Sequence, residues 1–461
     1  MLKKLGALIS WEARLRDYRV LLSLSLPLVV NSFSNIATGI VDTALVGRYS
    51  VEALAAVGVA TSVYFAFVVV ILSSAIGHSV MAAQGFGARR YQRVGALLQN
   101  SFALYGALAV VGMVLCVAGA NFIAGFFSDN SEIQTGIADY LRIRGAGIGL
   151  ITVGILMISV FSANRETKWA LYIGVTLSVV NILVSWVLIF GVGIFPELGV
   201  SGSALGSLAA DGVAVVFALA IFFFKGYHKL IWPGRFGLSR YVLRQLFKLG
   251  WPSLISVTTL HVSFLLALWL MGRLGVDELA AGRIVLQYVL LAFTLIYSFH
   301  AAGQIMAGRL IGERKWAAIS ALHRRNAELA IAAYLTPMIV FLIFPQWVIG
   351  VFTEFAAVSE LALAPLRVAV VSAVLIAWSV NNVAFSRGLG KTTWDMVAMS
   401  VAVWVFAVPL MFVFADALEW GLTGIFAAQL FLWGTRGAIL QALLWRLFRN
   451  QSGLQPIDKH V

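Results

Sequence analysis

Long apolar runs dominate the chain, and their lengths set the architecture. About twenty apolar residues carry a helix across the hydrocarbon core of a bilayer. Twelve runs reach that length, at 21–46, 54–80, 96–120, 138–161, 169–191, 202–224, 249–271, 279–305, 326–346, 362–385, 394–415 and 421–445. The pattern predicts an all-α polytopic membrane protein with twelve transmembrane helices.

The polar positions inside these runs carry the chemistry. Asp42 closes span 1, and a carboxylate there costs roughly 2.5–3.5 kcal/mol to insert. Thr38, Asn35 and Asn31 precede it at i−4, i−7 and i−11, which is one helix face. A stripe of that kind is expected to face a cavity or another helix. Span 6 repeats the arrangement, with Ser203 and Ser207 on the face of Asp211, and span 5 carries Ser178, Asn181 and Ser185. Asp42, Asn181 and Asp211 are the candidates for cation or proton coupling, and they are expected to share one hydrogen-bonded network. Asn31, Asn35, Thr38, Ser185 and Ser207 are read as polar cavity residues. The second half offers His261, Arg283, Gln287, His300 and Gln304 instead, with no acid inside its spans except near their ends. Arg283, Gln287 and His300 join the cavity candidates. Arg142 and Arg144 are read as end-of-span arginines at the start of span 4.

Composition sharpens the class. Of 461 residues 61% are hydrophobic and 11% are charged, less than half the charged share of a soluble protein. The net charge of +13 would suit nucleic acid, but its placement argues against that partner. Most Lys and Arg fall before span 1, after spans 2, 4, 6, 8 and 10, and in the tail, while acids populate the alternate connections. The positive-inside rule then places both termini in the cytoplasm and fits a bacterial inner membrane. The expected division is a cytoplasmic amphipathic segment over 1–20, an N-lobe over 21–224, a linker over 225–248, a C-lobe over 249–445 and a tail over 446–461. One cysteine, Cys116, excludes an intrachain disulfide, and no pair of histidines has metal-ligand spacing. No metal or cofactor is expected.

The chain also repeats itself. At a shift of 225 residues Pro27 falls on Pro252, VGRYSVEALAA on MGRLGVDELAA, Arg89 on Arg314, FSD on FTE, and Arg142 on Arg367; GVSG meets GLTG at a shift of 222. Six spans per repeat run the same way through the membrane, so two pseudo-symmetric six-helix bundles are expected about an axis along the membrane normal.

Twelve spans in two halves, VDTALVGR closing span 1, AQGFGARR closing span 2 and DYLRIRGAG opening span 4 resemble the multidrug and toxic-compound extrusion (MATE) family, in the branch of the DNA-damage-inducible F protein. The resemblance implies a V-shaped two-lobed antiporter that exports small organic, often cationic amphipathic compounds against H+, with Na+ as the alternative coupling ion. It maps the branch's usual cation or proton site onto Asp42. Where that branch often carries a second span-5 aspartate this chain has Ser185, and spans 7 and 10 hold no acid. A lipid-linked precursor flippase of the same superfamily is the alternative function. An intramembrane enzyme ranks lowest, since no nucleophile–base pair or metal set is visible, and a monomer in contact with membrane lipids is expected.

Overall fold

The computed structural model describes residues 2–231 and 237–450, with side chains from residue 14 onward apart from Ala292. Twelve long helical stretches follow the twelve apolar runs. They are α1 (Leu2–Tyr49), α2 (Val51–Gly87), α3 (Tyr91–Ala118), α4 (Ser131–Ala146 with Ile148–Ala163), α5 (Lys168–Phe190), α6 (Gly199–Phe224), α7 (Arg240–Leu274), α8 (Val276–Gly312), α9 (Trp316–Ile343), α10 (Ala356–Gly388), α11 (Thr392–Ala417) and α12 (Gly421–Asn450). Among the described residues ten are long and apolar enough to cross a membrane, and α4, bent by 44°, makes an eleventh. The expected count of twelve is therefore not reached on length and apolarity. The exception is α12, which spans 30 residues but spends part of its buried face on Arg436 and carries Gln429, Thr435 and Gln441 along its middle.

Local signals explain where helices start and stop. Ser50 accepts a hydrogen bond from the Ala53 amide at 2.9 Å and opens α2. Asn130 does the same for α4 through the amides of Glu132 and Ile133. The even-numbered helices α2, α4, α8 and α10 all end in one turn. A residue with positive φ follows each (Arg89 at 56°, Arg165 at 66°, Arg314 at 59°, Gly390 at 74°). The next amide then bonds back five residues, as in Arg90 to Gly85, Glu166 to Phe161, Lys315 to Leu310 and Lys391 to Ser386. α11 widens its winding over Ala402–Ala407 and Val413–Ala417 on either side of Pro409, which has no amide hydrogen to give.

The described residues form two compact units. The first runs from Pro27 to Gly250, and the second contains the chain up to Leu26 together with that from Trp251 onward. Both divisions fall beside a proline inside a helix, Pro27 in α1 and Pro252 in α7. Leu21 and Leu24 of α1 thus pack among Ala302, Met306, Phe385 and Leu444 of the second unit. Asp17 pairs with Arg325 and Tyr18 donates to Glu328 in the same unit. The early turns of α7 pack in the first unit, where a β-carbon at Gly77 would lie 2.9 Å from the Leu246 carbonyl oxygen. Residues 2–20 of the expected amphipathic segment continue into span 1 as one helix. The side chains of Lys3 and Lys4, linker residues 232–236 and tail residues 451–461 lie outside the described residues.

Two close helix contacts position the site. At Gly202 and Gly206, α6 meets α5 so closely that a β-carbon would fall 2.6 Å from the Leu188 carbonyl and 2.6 Å from the Ser185 nitrogen. At Gly147, where α4 bends, a β-carbon would meet Leu208 at 2.6 Å.

Candidate functional site

The first unit concentrates its polar groups where α1, α4, α5 and α6 converge. The α1 stripe faces α5. Ser34 donates to the Ser178 hydroxyl at 2.8 Å, and Thr38 returns its hydroxyl to the Ser34 carbonyl at 2.8 Å. Asn31 fills the space that a β-carbon at Gly174 would need. Asn35 departs from expectation, since it is exposed and Ser34 makes the contact assigned to that face.

Asp42 is half-buried at the end of this stripe. Ser203 of α6 donates to its two carboxylate oxygens at 3.3 and 3.4 Å. Among the described residues no cation lies within ion-pair distance of Asp42. The neighbouring acid differs. Asp211 of α6 receives Arg144 Nη1 at 2.6 Å, and both side chains are buried. The guanidinium also lies over the Tyr64 ring, 4.5 Å from its centroid. Asp211 is thus neutralised by a direct ion pair, while Asp42 has hydroxyl partners and feels Arg144 only from beyond ion-pair distance.

Arg144 therefore does not cap the end of span 4. Its helix starts at Ser131, earlier than the expected 138, which sets Arg144 about 20 Å along the axis from the first residue. Arg142, two residues earlier, is exposed and bonds Asp139 at 3.0 Å and Asn121 at 2.7 Å. Asn181, Ser185 and Ser207 gather beside the two acids. Asn181 donates to Ser207 at 2.9 Å, and Ser185 is fully buried where α5 meets Gly206. No hydrogen bond links Asp42, Asn181 and Asp211 directly among the described residues. The expected single network is instead three adjacent polar contacts.

The repeat does not carry this site into the second unit. At the shifts read from the sequence, Asp42, Tyr64 and Arg144 correspond to Ala267, Val289 and Ala369, and Ser203 and Asp211 to Ile425 and Trp433. These residues belong to the apolar core there. Of the second-half candidates, Arg283 and Gln287 are exposed on α8. His300 is buried, with Nδ1 at 3.1 Å from the Val380 carbonyl oxygen, a packing position.

The second unit buries a charge cluster that sequence reading missed. Asp395 at the start of α11 receives Arg387 at 2.7 and 3.0 Å, Arg436 at 2.6 and 3.1 Å and the Ser256 hydroxyl at 3.0 Å. Four helices meet there, α7, α10, α11 and α12, and their spacing in sequence holds no hint of it. Nearby, His323 Nε2 lies 2.7 Å from Asn382 Oδ1, and Asn326 donates to Asn381 at 2.7 Å. With two guanidiniums on one carboxylate, the second unit buries a net positive charge, whereas the Asp42, Asp211 and Arg144 group carries a net negative one.

The MatE family pattern matches residues 27–187 and 252–413, one match in each half. A "Probable multidrug resistance protein NorM" of Synechocystis sp. is 26% identical over 396 residues, covering 84% of this chain and 86% of the relative. A protein of the same description from Rhizobium meliloti is 28% identical over 465 residues, covering 95% and 94%. A solved structure described as "Outward-facing conformation of a multidrug resistance MATE family transporter of the MOP superfamily" shares the fold with a TM-score of 0.85 at 20% identity, covering 95% of this chain and 96% of that one.

Proposed function

The chain belongs to the MatE family of multidrug and toxic-compound extrusion transporters, and from that premise we propose that it exports small organic cations by exchange for protons at Asp42. One observation carries the reading. Asp42 is the acid of the site that has no cationic partner, whereas Asp211 beside it is neutralised by Arg144. A carboxylate among apolar helices that is met by hydroxyls and not by a paired cation stabilises whatever positive charge arrives. A proton and the charged end of an amphipathic cation satisfy it alternately, and occupancy by one weakens the hold on the other. That competition is the minimum an antiporter needs. Arg144 and Asp211 tie α4 to α6 and hold the surroundings near neutral, so the site's charge resides on Asp42. Ser203 ties the carboxylate to α6, and Asn181, Ser185 and Ser207 add polar groups beside it from α5 and α6.

Alternating access, cytoplasmic termini, a bacterial inner membrane and a monomeric state belong to the same reading. It is supported by the duplicated halves and the one-sided placement of Lys and Arg. The proton is the preferred coupling ion because Asp42 offers sodium one carboxylate and few further oxygens, where a bound cation takes several.

The test is reconstitution in liposomes holding an internal pH dye, with amphipathic organic cations added outside. Cation-evoked proton flux is expected in the wild type, unchanged when sodium is replaced by potassium, and lost in Asp42→Asn at equal protein abundance. Undiminished flux in Asp42→Asn removes the assignment.

A further inference from the structure

The duplication sets two arginines in equivalent places with different company. Arg142 of α4 and Arg367 of α10 stand 225 residues apart. In the first unit Arg142 donates to Asp139 at 3.0 Å and to Asn121 at 2.7 Å. Asn121 sits on the short helix Ala120–Phe127 that follows α3. The second unit has the equivalent helix, Pro345–Gly350, beginning 225 residues later, and Gln346 stands where Asn121 does. Asp139, however, is matched by Ala364. The guanidinium has kept its amide neighbour and lost its carboxylate.

Arg367 is exposed and has no ion-pair partner among the described residues. With Gln346 it lines an open pocket of about 440 Å³. The other walls are apolar and turned outward, with Leu342 52%, Phe344 57% and Trp347 69% exposed. We propose that this pocket binds the phosphate of a phospholipid headgroup. A guanidinium fork matches phosphate oxygens two at a time, and the Gln346 amide adds a donor. The apolar rim gives an acyl chain a surface, and tryptophan beside a basic group at the end of a span is the usual composition of a membrane boundary. A soluble anion would gain nothing from that rim. In the first unit Asp139 already occupies the guanidinium, so no such site forms there.

Binding of dioleoyl phosphatidylglycerol to the purified full-length protein, followed by native mass spectrometry, tests the proposal without reference to transport. Arg367→Gln should weaken the first binding event by about tenfold or more, the scale of a charge-assisted hydrogen bond. Ala364→Asp, at an exposed position, rebuilds the first unit's arrangement while keeping the arginine, and the same loss is expected. Arg142→Gln should leave binding unchanged. Millimolar inorganic phosphate should fail to displace the lipid; displacement by phosphate alone would assign the pocket to a free anion and overturn the lipid. Wild-type affinity in both Arg367→Gln and Ala364→Asp would overturn the site itself.

Discussion

Asp211→Asn separates a structural ion pair from an isolated charge, and the structure fixes the size of the effect. Asp211 and Arg144 meet at 2.6 Å with side chains only 6% and 9% exposed. Removing one partner of a buried pair leaves the other desolvated and uncompensated, which costs about 3–5 kcal/mol. The Tyr64 ring 4.5 Å from the Arg144 guanidinium is present in wild type and single variant alike, so it does not offset that loss. Replacing both members by apolar residues of similar volume, Arg144→Met with Asp211→Leu, removes the orphaned charge and should restore stability to near the wild-type level or above it. Thermal unfolding of the detergent-solubilised protein, read by tryptophan fluorescence, orders the three proteins. The single variant should melt lowest by a wide margin, with the double variant close to wild type. A single variant as stable as wild type, or a double variant as unstable as the single, refutes the buried-pair account. The single variant should also change the pH dependence of the proposed export, because the freed guanidinium stands near Asp42. An unchanged profile would confine Asp211 to a structural role.

The α5–α6 crossing predicts that Gly206→Val destabilises by about 1–3 kcal/mol through overpacking, since even a β-carbon falls 2.6–2.7 Å from the Ser185 backbone; a melting temperature equal to wild type would show that the helices part without cost. The repeated turns predict opposite effects for opposite changes. Arg314→Gly, which frees a side chain held at φ 59°, should stabilise by about 1 kcal/mol, and Gly390→Ala at φ 74° should destabilise by about as much, both measured by the same unfolding assay. Shifts of equal sign would mean the backbone geometry is not what these turns select for.

Run length made the helices legible, because the membrane imposes one dimension on every span. The α1 stripe was legible for a related reason. Helical period alone aligns Asn31, Thr38 and Asp42, and an apolar surround leaves them few places to face. Arg144 was misread because the same counting fails where a helix extends beyond its apolar run. The polar turns from Ser131 to Ala138 belong to α4, so an arginine that looks terminal lies deep. The Asp395 cluster was illegible for a stronger reason. Its members come from α7, the end of α10, the start of α11 and the middle of α12, and each alone looks like an ordinary residue near a span's end. Only packing brings two guanidiniums to one carboxylate.

The two units share a backbone plan and divide the chemistry between them. Their equivalent turns, prolines and short helices show that the duplicated fold constrains backbone geometry closely, down to arginines at positive φ in Arg89 and Arg314. Charge is not constrained in the same way. The position of Asp42 is an alanine in the second unit and that of Asp211 a tryptophan, and both sit in a well-packed apolar core. The six-helix bundle therefore does not need an acid at either place to fold. An acid that the fold does not require carries the insertion cost of a charge in hydrocarbon, and the proposed exchange at Asp42 gives that cost a use. The same comparison applies to Asp395. Its first-unit equivalent at the shift of 225 is Ala170, which is fully buried, so its two-arginine cluster is equally dispensable to the plan. Asp395 nevertheless differs from Asp42 in the property that matters for exchange. It is fully enclosed and bonded on both oxygens by guanidiniums, so neither a proton nor an organic cation has a free oxygen to take. Of the three acids Asp42, Asp211 and Asp395 among the described residues, Asp42 alone combines a carboxylate without an ion-pair partner with partial access, and the proposed exchange rests on that combination rather than on burial or charge by itself.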